Sequence, residues 1–357
     1  MNVDNTSAVC FHLPETFPIL SNMKFTVGYQ ADDDLKRAVI AAKGSVVEVY
    51  FPWGNFTSGR GVVGDKFLQR KMETDLDEYA GEGFATNLLL NGNCYGRQAQ
   101  SRAFFNSVGD SVDELVMRYK LSSVTTTSPL IAKFLKANFP QIEVRASINM
   151  EIGTVEGFEY IAEWFDSYYL RREFNYDLKR LETAKKWCEA NGKKLYLLAN
   201  SGCMNFCSAH NFHDNLVAHQ HEIAEMDNAY EFKGVCHSFF AKPENKKRLL
   251  CHTNFIRPED VHLYEGLCDG MKLATRTNKF PADIVAAYTS GRYSANILDL
   301  TEPSFAGHLY PSVIENAKIA PDYAEHRLRC DKNCQSCAFC QNVQQKATVR
   351  LEAVEPT

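Results

Sequence analysis

Lys194-Leu-Tyr-Leu-Leu-Ala199 runs straight into Asn200-Ser-Gly-Cys-Met-Asn-Phe-Cys-Ser-Ala-His-Asn-Phe-His-Asp-Asn-Leu216. The first part is a short apolar run that reads as a buried strand, so Cys203 and Cys207 stand at its C-terminal end. Seven similar runs occur at 24–29, 46–51, 86–91, 123–127, 143–148, 167–171 and 271–275. Between them lie amphipathic stretches such as 33–42 and 177–190, the latter placing Leu178, Leu181, Ala184, Trp187 and Cys188 on one helical face. Eight strand-then-helix units predict an α/β fold of the (β/α)8 TIM-barrel type, whose strand ends gather their loops at one rim.

The rhythm breaks between the seventh and eighth runs, where about 70 residues stand in place of a short connection. The expected organisation is therefore a barrel over 1–300 with an insertion, 200–267, across its C-terminal mouth. Residues 301–357 follow as an irregular, cysteine-rich extension. At the other strand ends the polar residues Asn91, Thr125–Ser128, Ser147 and Asn149 read one by one as loop chemistry, with Thr127 or Ser128 capping a helix that starts at Pro129.

A chain of 357 residues, 45% hydrophobic, has enough apolar surface for a large core. Its net charge of −5 and the absence of any basic run longer than Lys246-Lys247-Arg248 disfavour a nucleic-acid partner. No stretch approaches the ~20 consecutive apolar residues of a membrane helix, and the N-terminus lacks the layout of a secretion signal, so a cytoplasmic protein is expected. Twelve cysteines then call for a use other than disulfides.

Thiolates are soft anionic ligands for iron–sulfur clusters and zinc. Cys330-x3-Cys334-x2-Cys337-x2-Cys340 puts four thiols within eleven residues and predicts a metal centre, iron–sulfur or zinc. At the barrel mouth Cys203, Cys207 and Cys236 are expected to hold an iron–sulfur cluster. The fourth ligand would be Cys251, on the same insertion, or Cys94, on the glycine-rich loop Asn91-Gly-Asn-Cys-Tyr-Gly96. Cys10, Cys188 and Cys268 stand alone and read as packing. His210, His213, His219 and His221 follow the pair without a His-Glu-x-x-His motif; His213 and Asp214 are candidate substrate contacts, the other histidines reading as caps. No serine-nucleophile motif occurs, and no Cys–His pair reads better as nucleophile than as ligand.

Several segments, in order, resemble the collagenase-like U32 peptidase family. Val27-Gly28-Tyr29 with 33–44 and 47–51 resembles its opening strand–helix–strand, and Val144-Arg-Ala-Ser-Ile-Asn-Met150 with Thr154-Val-Glu-Gly157 its middle motif. Tyr168-Tyr-Leu-Arg-Arg-Glu173 resembles its strand ending in Arg-Glu, and Gly270-Met-Lys-Leu-Ala-Thr-Arg276 its Lys-Ile-Glu-Gly-Arg signature, with Ala274-Thr275 replacing Glu-Gly. Cys203 and Cys207 follow the shorter-gapped cysteine subgroup. The resemblance implies a barrel carrying a [4Fe-4S] cluster and an oxygen-independent hydroxylation, or another redox modification, of a small-molecule, peptide or macromolecular substrate. Peptidase activity, as the family name has it, is the alternative. A non-catalytic iron–sulfur partner working with a second family subunit is another. Arg145, Arg171, Arg172, Lys272 and Arg276 would line the rim and bind a carboxylate, against the plainer expectation of ion pairs such as Arg172 with Glu173 or Asp177.

Overall fold

The computed structural model describes residues 22–59, 61–63 and 65–352. Cys10, read above as a packing thiol, lies outside them. Eight parallel strands close into a barrel in chain order: β1 (Phe25–Gly28), β2 (Val46–Phe51), β3 (Ala85–Leu90), β4 (Leu121–Thr126), β5 (Glu143–Ala146), β6 (Ser167–Tyr169), β7 (Lys194–Leu198) and β8 (Gly270–Leu273), with β8 pairing back onto β1. All eight expected runs are strands. The helices start where side-chain oxygens take up the free N–H groups of the first turn. Asp32 accepts from the Leu35 amide at 2.7 Å, Ser128 from Ile131 at 3.3 Å with Pro129 next, and Asp177 from Arg180 at 3.1 Å.

The barrel interior is not wholly apolar. Glu48 of β2 is buried and takes two bonds from Arg145 of β5, at 2.8 and 3.1 Å, while Ser123 donates to it at 2.8 Å and Asn87 at 3.3 Å. Arg145 also reaches Glu143 at 2.8 Å and lies 4.1 Å from the Tyr196 ring centre. A charged network buried to this depth is tolerated because every member has partners.

The 200–267 insertion folds as five short helices and a 3-10 stretch, including His210–Ala218, Val235–Ala241 and Leu249–His252. The described part of the C-terminal segment, 301–352, is more regular than the sequence suggests. It carries the helices Tyr323–Arg329 and Phe339–Ala347 and an antiparallel pair, β9 (Ser312–Ile314) with β10 (Thr348–Arg350). Each of these elements is short, so no period emerges from the sequence. Tyr323, Ala324, Leu328 and Ala347 nevertheless join the same apolar cluster as the barrel strands. Cys188 and Cys268 are packing thiols: both are buried, and burial pushes each up to about 12. Among the described residues no helix is long and apolar enough to cross a membrane.

Candidate active site at the barrel mouth

The segment after β7 is fixed before it delivers its thiols. Asn200 is fully buried; its amide donates to the carbonyls of Ala274, at 2.7 Å, and Leu300, at 2.9 Å, while its oxygen accepts from the Ala274 amide at 2.7 Å. Gly202 follows at a point where any Cβ would collide with the Pro303 carbonyl oxygen. Cys203 is thereby held against Arg172, whose guanidinium donates to Sγ at 3.4 Å. Arg172 is buried, which works against its charge, but Cys203, Asp214 and Glu173 outweigh that and keep it firmly protonated.

Cys236 arrives from the helix Val235–Ala241 and has Cys203 and Cys207 as neighbouring thiols. Burial and then those neighbours push its thiol up, as expected for thiols that would repel one another once ionised. Gly234, at φ +90°, passes so near that a Cβ there would stand 3.2 Å from Cys236 Sγ. Three thiols brought together beside an arginine suit a thiolate-bound cluster. The donors are soft, and the core of such a group would offset the repulsion that burial imposes on them.

Neither expected fourth thiol joins them. Cys94 lies beside His219, which lowers its thiol, and accepts from the Gly96 amide at 3.4 Å. Cys251 is buried in the helix Leu249–His252, beside Cys340 of the C-terminal segment. The group beside the three thiols is instead one that sequence reasoning missed. His210, buried at the start of its helix, has Nδ1 2.7 Å from Glu151 Oε1 and Nε2 3.4 Å from Asp214 Oδ2. Glu151, Glu173 and His210 bring ligand atoms within 4.8 Å of one another, the one such His/Cys/Asp/Glu trio among the described residues. The bond to His210 holds the Glu151 carboxyl below its ordinary range. No spacing links positions 151, 173 and 210; the signal available was the polarity of three neighbouring strand ends.

The expected anion-binding cations divide. Arg145 is 2% exposed and belongs to the interior network, not the rim: along β5 it shares a face with Glu143, and both point into the barrel. Arg171 pairs with Glu173 at 3.0 Å and approaches Glu151 at 3.7 Å. The Arg172–Glu173 or Arg172–Asp177 pairing expected from sequence is thus made by its neighbour. Lys272 and Arg276 do face a cavity of about 310 Å³, together with Cys203, His210, His213 and Asp214. Lys272 stands 4.0 Å from the Tyr50 ring centre, and Arg276 bonds to the Gly59 carbonyl and lies 3.6 Å from Glu302. Burial pushes the His213 imidazole down. Asn91, Ser147 and Asn149 bond to one another and to the Gly59 amide, so they hold loops together.

No family model matches the chain. Over 159 residues it is 30% identical to a protein of Methanocaldococcus jannaschii described as an uncharacterized protease. That alignment covers 43% of this chain and 46% of the relative, so the chain spans less than half the length of the curated protein it matches. Among solved structures, the U32 peptidase Mk0906 superposes with a TM-score of 0.52 at 13% identity, covering 73% of this chain and 96% of that one. This likeness is one of fold.

Proposed function

We propose, on the support that these two likenesses and the ordered motifs give to membership of the U32 peptidase family, that the barrel mouth is an iron–sulfur redox site acting on a carboxylate-bearing small molecule or peptide. The observation that carries the reading is that Cys203 and Cys236, with Cys207 beside Cys236 and Arg172 against Cys203, line a cavity that Lys272 and Arg276 also face. When bound, the cluster supplies electrons one at a time. The remaining work falls to the chain. Lys272 and Arg276 orient an anionic group, Arg172 offsets thiolate charge, and His210, between Glu151 and Asp214, carries a proton to or from the cavity. An oxygen-independent hydroxylation, with a carboxylate-bearing oxygen donor, fits that set of groups.

Purified without oxygen, the full chain should be brown and carry about four iron atoms and as many sulfides at this site, all lost in Cys203→Ala/Cys207→Ala. Colourless protein containing only zinc refutes the proposal. Turnover that appears only on adding a second family subunit would assign the chain to the paired, non-catalytic class.

One observation favours the peptidase reading. Cys94, His219 and Glu222 form a thiol–imidazole–carboxylate chain, with His219 Nδ1 2.7 Å from Glu222 Oε2, and His219 borders a groove of about 1040 Å³. His219 and the Gly96 amide lower the Cys94 thiol, while Cys94 and Glu222 raise the His219 imidazole. Proteolysis that survives removal of iron and vanishes in Cys94→Ala would establish this reading over the redox one.

A further inference from the structure

Cys251 is expected at the mouth as the alternative to Cys94, and Cys337 in the C-terminal centre, yet Cys251 lies beside Cys340 of the C-terminal segment. Cys340 is the neighbouring thiol of Cys251, and Cys334 has Cys340 and Cys330 as neighbouring thiols. Cys337 is exposed; its sulfur accepts only a local bond, from the Phe339 amide at 3.5 Å. The backbone is built to keep Cys251 there. Gln344, 2% exposed, accepts from the Leu250 amide at 3.0 Å and donates to the Lys246 carbonyl at 2.6 Å, clamping the helix Leu249–His252 onto the helix Phe339–Ala347. Tyr323 donates to the Leu250 carbonyl at 3.3 Å, and Arg248 reaches across to the Cys334 carbonyl at 2.6 Å. Charge follows the same plan: Arg248 and the buried Arg327 flank the thiols, and Lys332 lies between Cys330 and Cys334 in sequence.

We infer that Cys251, Cys330, Cys334 and Cys340 form a second thiolate centre that binds an iron–sulfur cluster, with Cys337 outside it. A single zinc ion, at about 2.3 Å from each sulfur, would need thiols about 3.8 Å apart. No three cysteine sulfurs among the described residues lie within 4.8 Å of one another. A four-iron cube places one iron under each thiolate and takes a wider set. Two or three cations beside four thiolates suit the net negative charge of either a cluster or its ligands.

The test uses the full chain, loaded anaerobically with iron and sulfide, and reads iron, sulfide and the electron-spin resonance of the reduced protein. Cys251→Ser and Cys340→Ser should each lose about four irons per chain, with far-ultraviolet circular dichroism unchanged. Cys337→Ser should lose none, and in Cys203→Ala/Cys207→Ala the second centre should remain with its own resonance. If the mouth holds no cluster, the wild type binds about four irons and Cys251→Ser removes them all, so the two proposals fail separately. Iron retained in Cys251→Ser, an equal loss in Cys337→Ser, or zinc alone taken up by the wild type would overturn the inference.

Discussion

Replacing Arg145 by Met tests whether this side chain holds the barrel together or serves its mouth. Arg145 is 2% exposed and bridges Glu48 on β2 to Glu143 on β5, bonding each carboxylate at 2.8 Å. Removing one partner of a buried ion pair costs about 3–5 kcal/mol, because a charge is left in a medium that does not solvate it. The losses here are unequal. Glu143 keeps Lys194 at 2.6 Å and Ser167 at 2.7 Å, whereas Glu48 keeps the neutral Ser123 and Asn87. The expected cost is therefore near the lower figure, about 3 kcal/mol, a large share of the roughly 5–15 kcal/mol that holds a domain folded. Urea unfolding followed by circular dichroism should show a lower midpoint at unchanged slope. Adding Glu48→Leu should restore at least half of the loss, since the orphaned charge is then gone. A cost below about 1 kcal/mol for Arg145→Met, or no recovery in the double variant, would refute this account of the interior network.

Acid should act through Glu143. Burial alone would raise its carboxyl, but Arg145 and Lys194 hold it at about 2, against an ordinary 4.5. A folded value below the unfolded one stabilises the protein above pH 4.5, and that stabilisation, up to about 3 kcal/mol, is lost as pH falls towards 2; Glu143→Gln should flatten that part of the pH–stability curve. Gly202→Ala should disrupt the mouth, because its methyl meets the Pro303 carbonyl; iron bound at Cys203 and Cys207 should fall by more than half while the second centre keeps its iron, and an unchanged count at the mouth would show that the loop can yield. The Cys94 thiol, lowered by His219, should react with iodoacetamide several-fold faster near pH 7 than in His219→Ala; equal rates would remove the support for a nucleophile there.

The barrel was readable because its strands are short apolar runs and its helices are amphipathic, two periods that local sequence displays directly. The placement of Cys203 and Cys207 is readable for a related reason: both follow β7 directly, so strand position puts them at the barrel mouth. The motif at the end of β5 suggests the rim for Arg145, whereas alternation along the strand turns it inward beside Glu143. Glu48, a lone charge within Val46-Val-Glu-Val-Tyr-Phe51, was the clue that an inward-facing cation must answer it. The neighbouring thiols of Cys251 lie more than eighty residues along the chain, and His210, Glu151 and Glu173 come from three separate loops. Such groupings are set by tertiary packing, which no local pattern encodes.

Glu173 is shared between the two thiol regions. Its carboxylate accepts from the Phe206 amide at 3.1 Å, inside the loop between Cys203 and Cys207, and its carbonyl accepts from Lys332 at 3.1 Å, inside the loop between Cys330 and Cys334. One residue thus acts as a yoke with a loop on either side. A chain cut after β8 would retain all eight strands of the closed barrel, yet the mouth would lose the brace that Lys332 gives to its Glu173, so the C-terminal segment is part of the mouth's architecture although it lies beyond the last barrel strand.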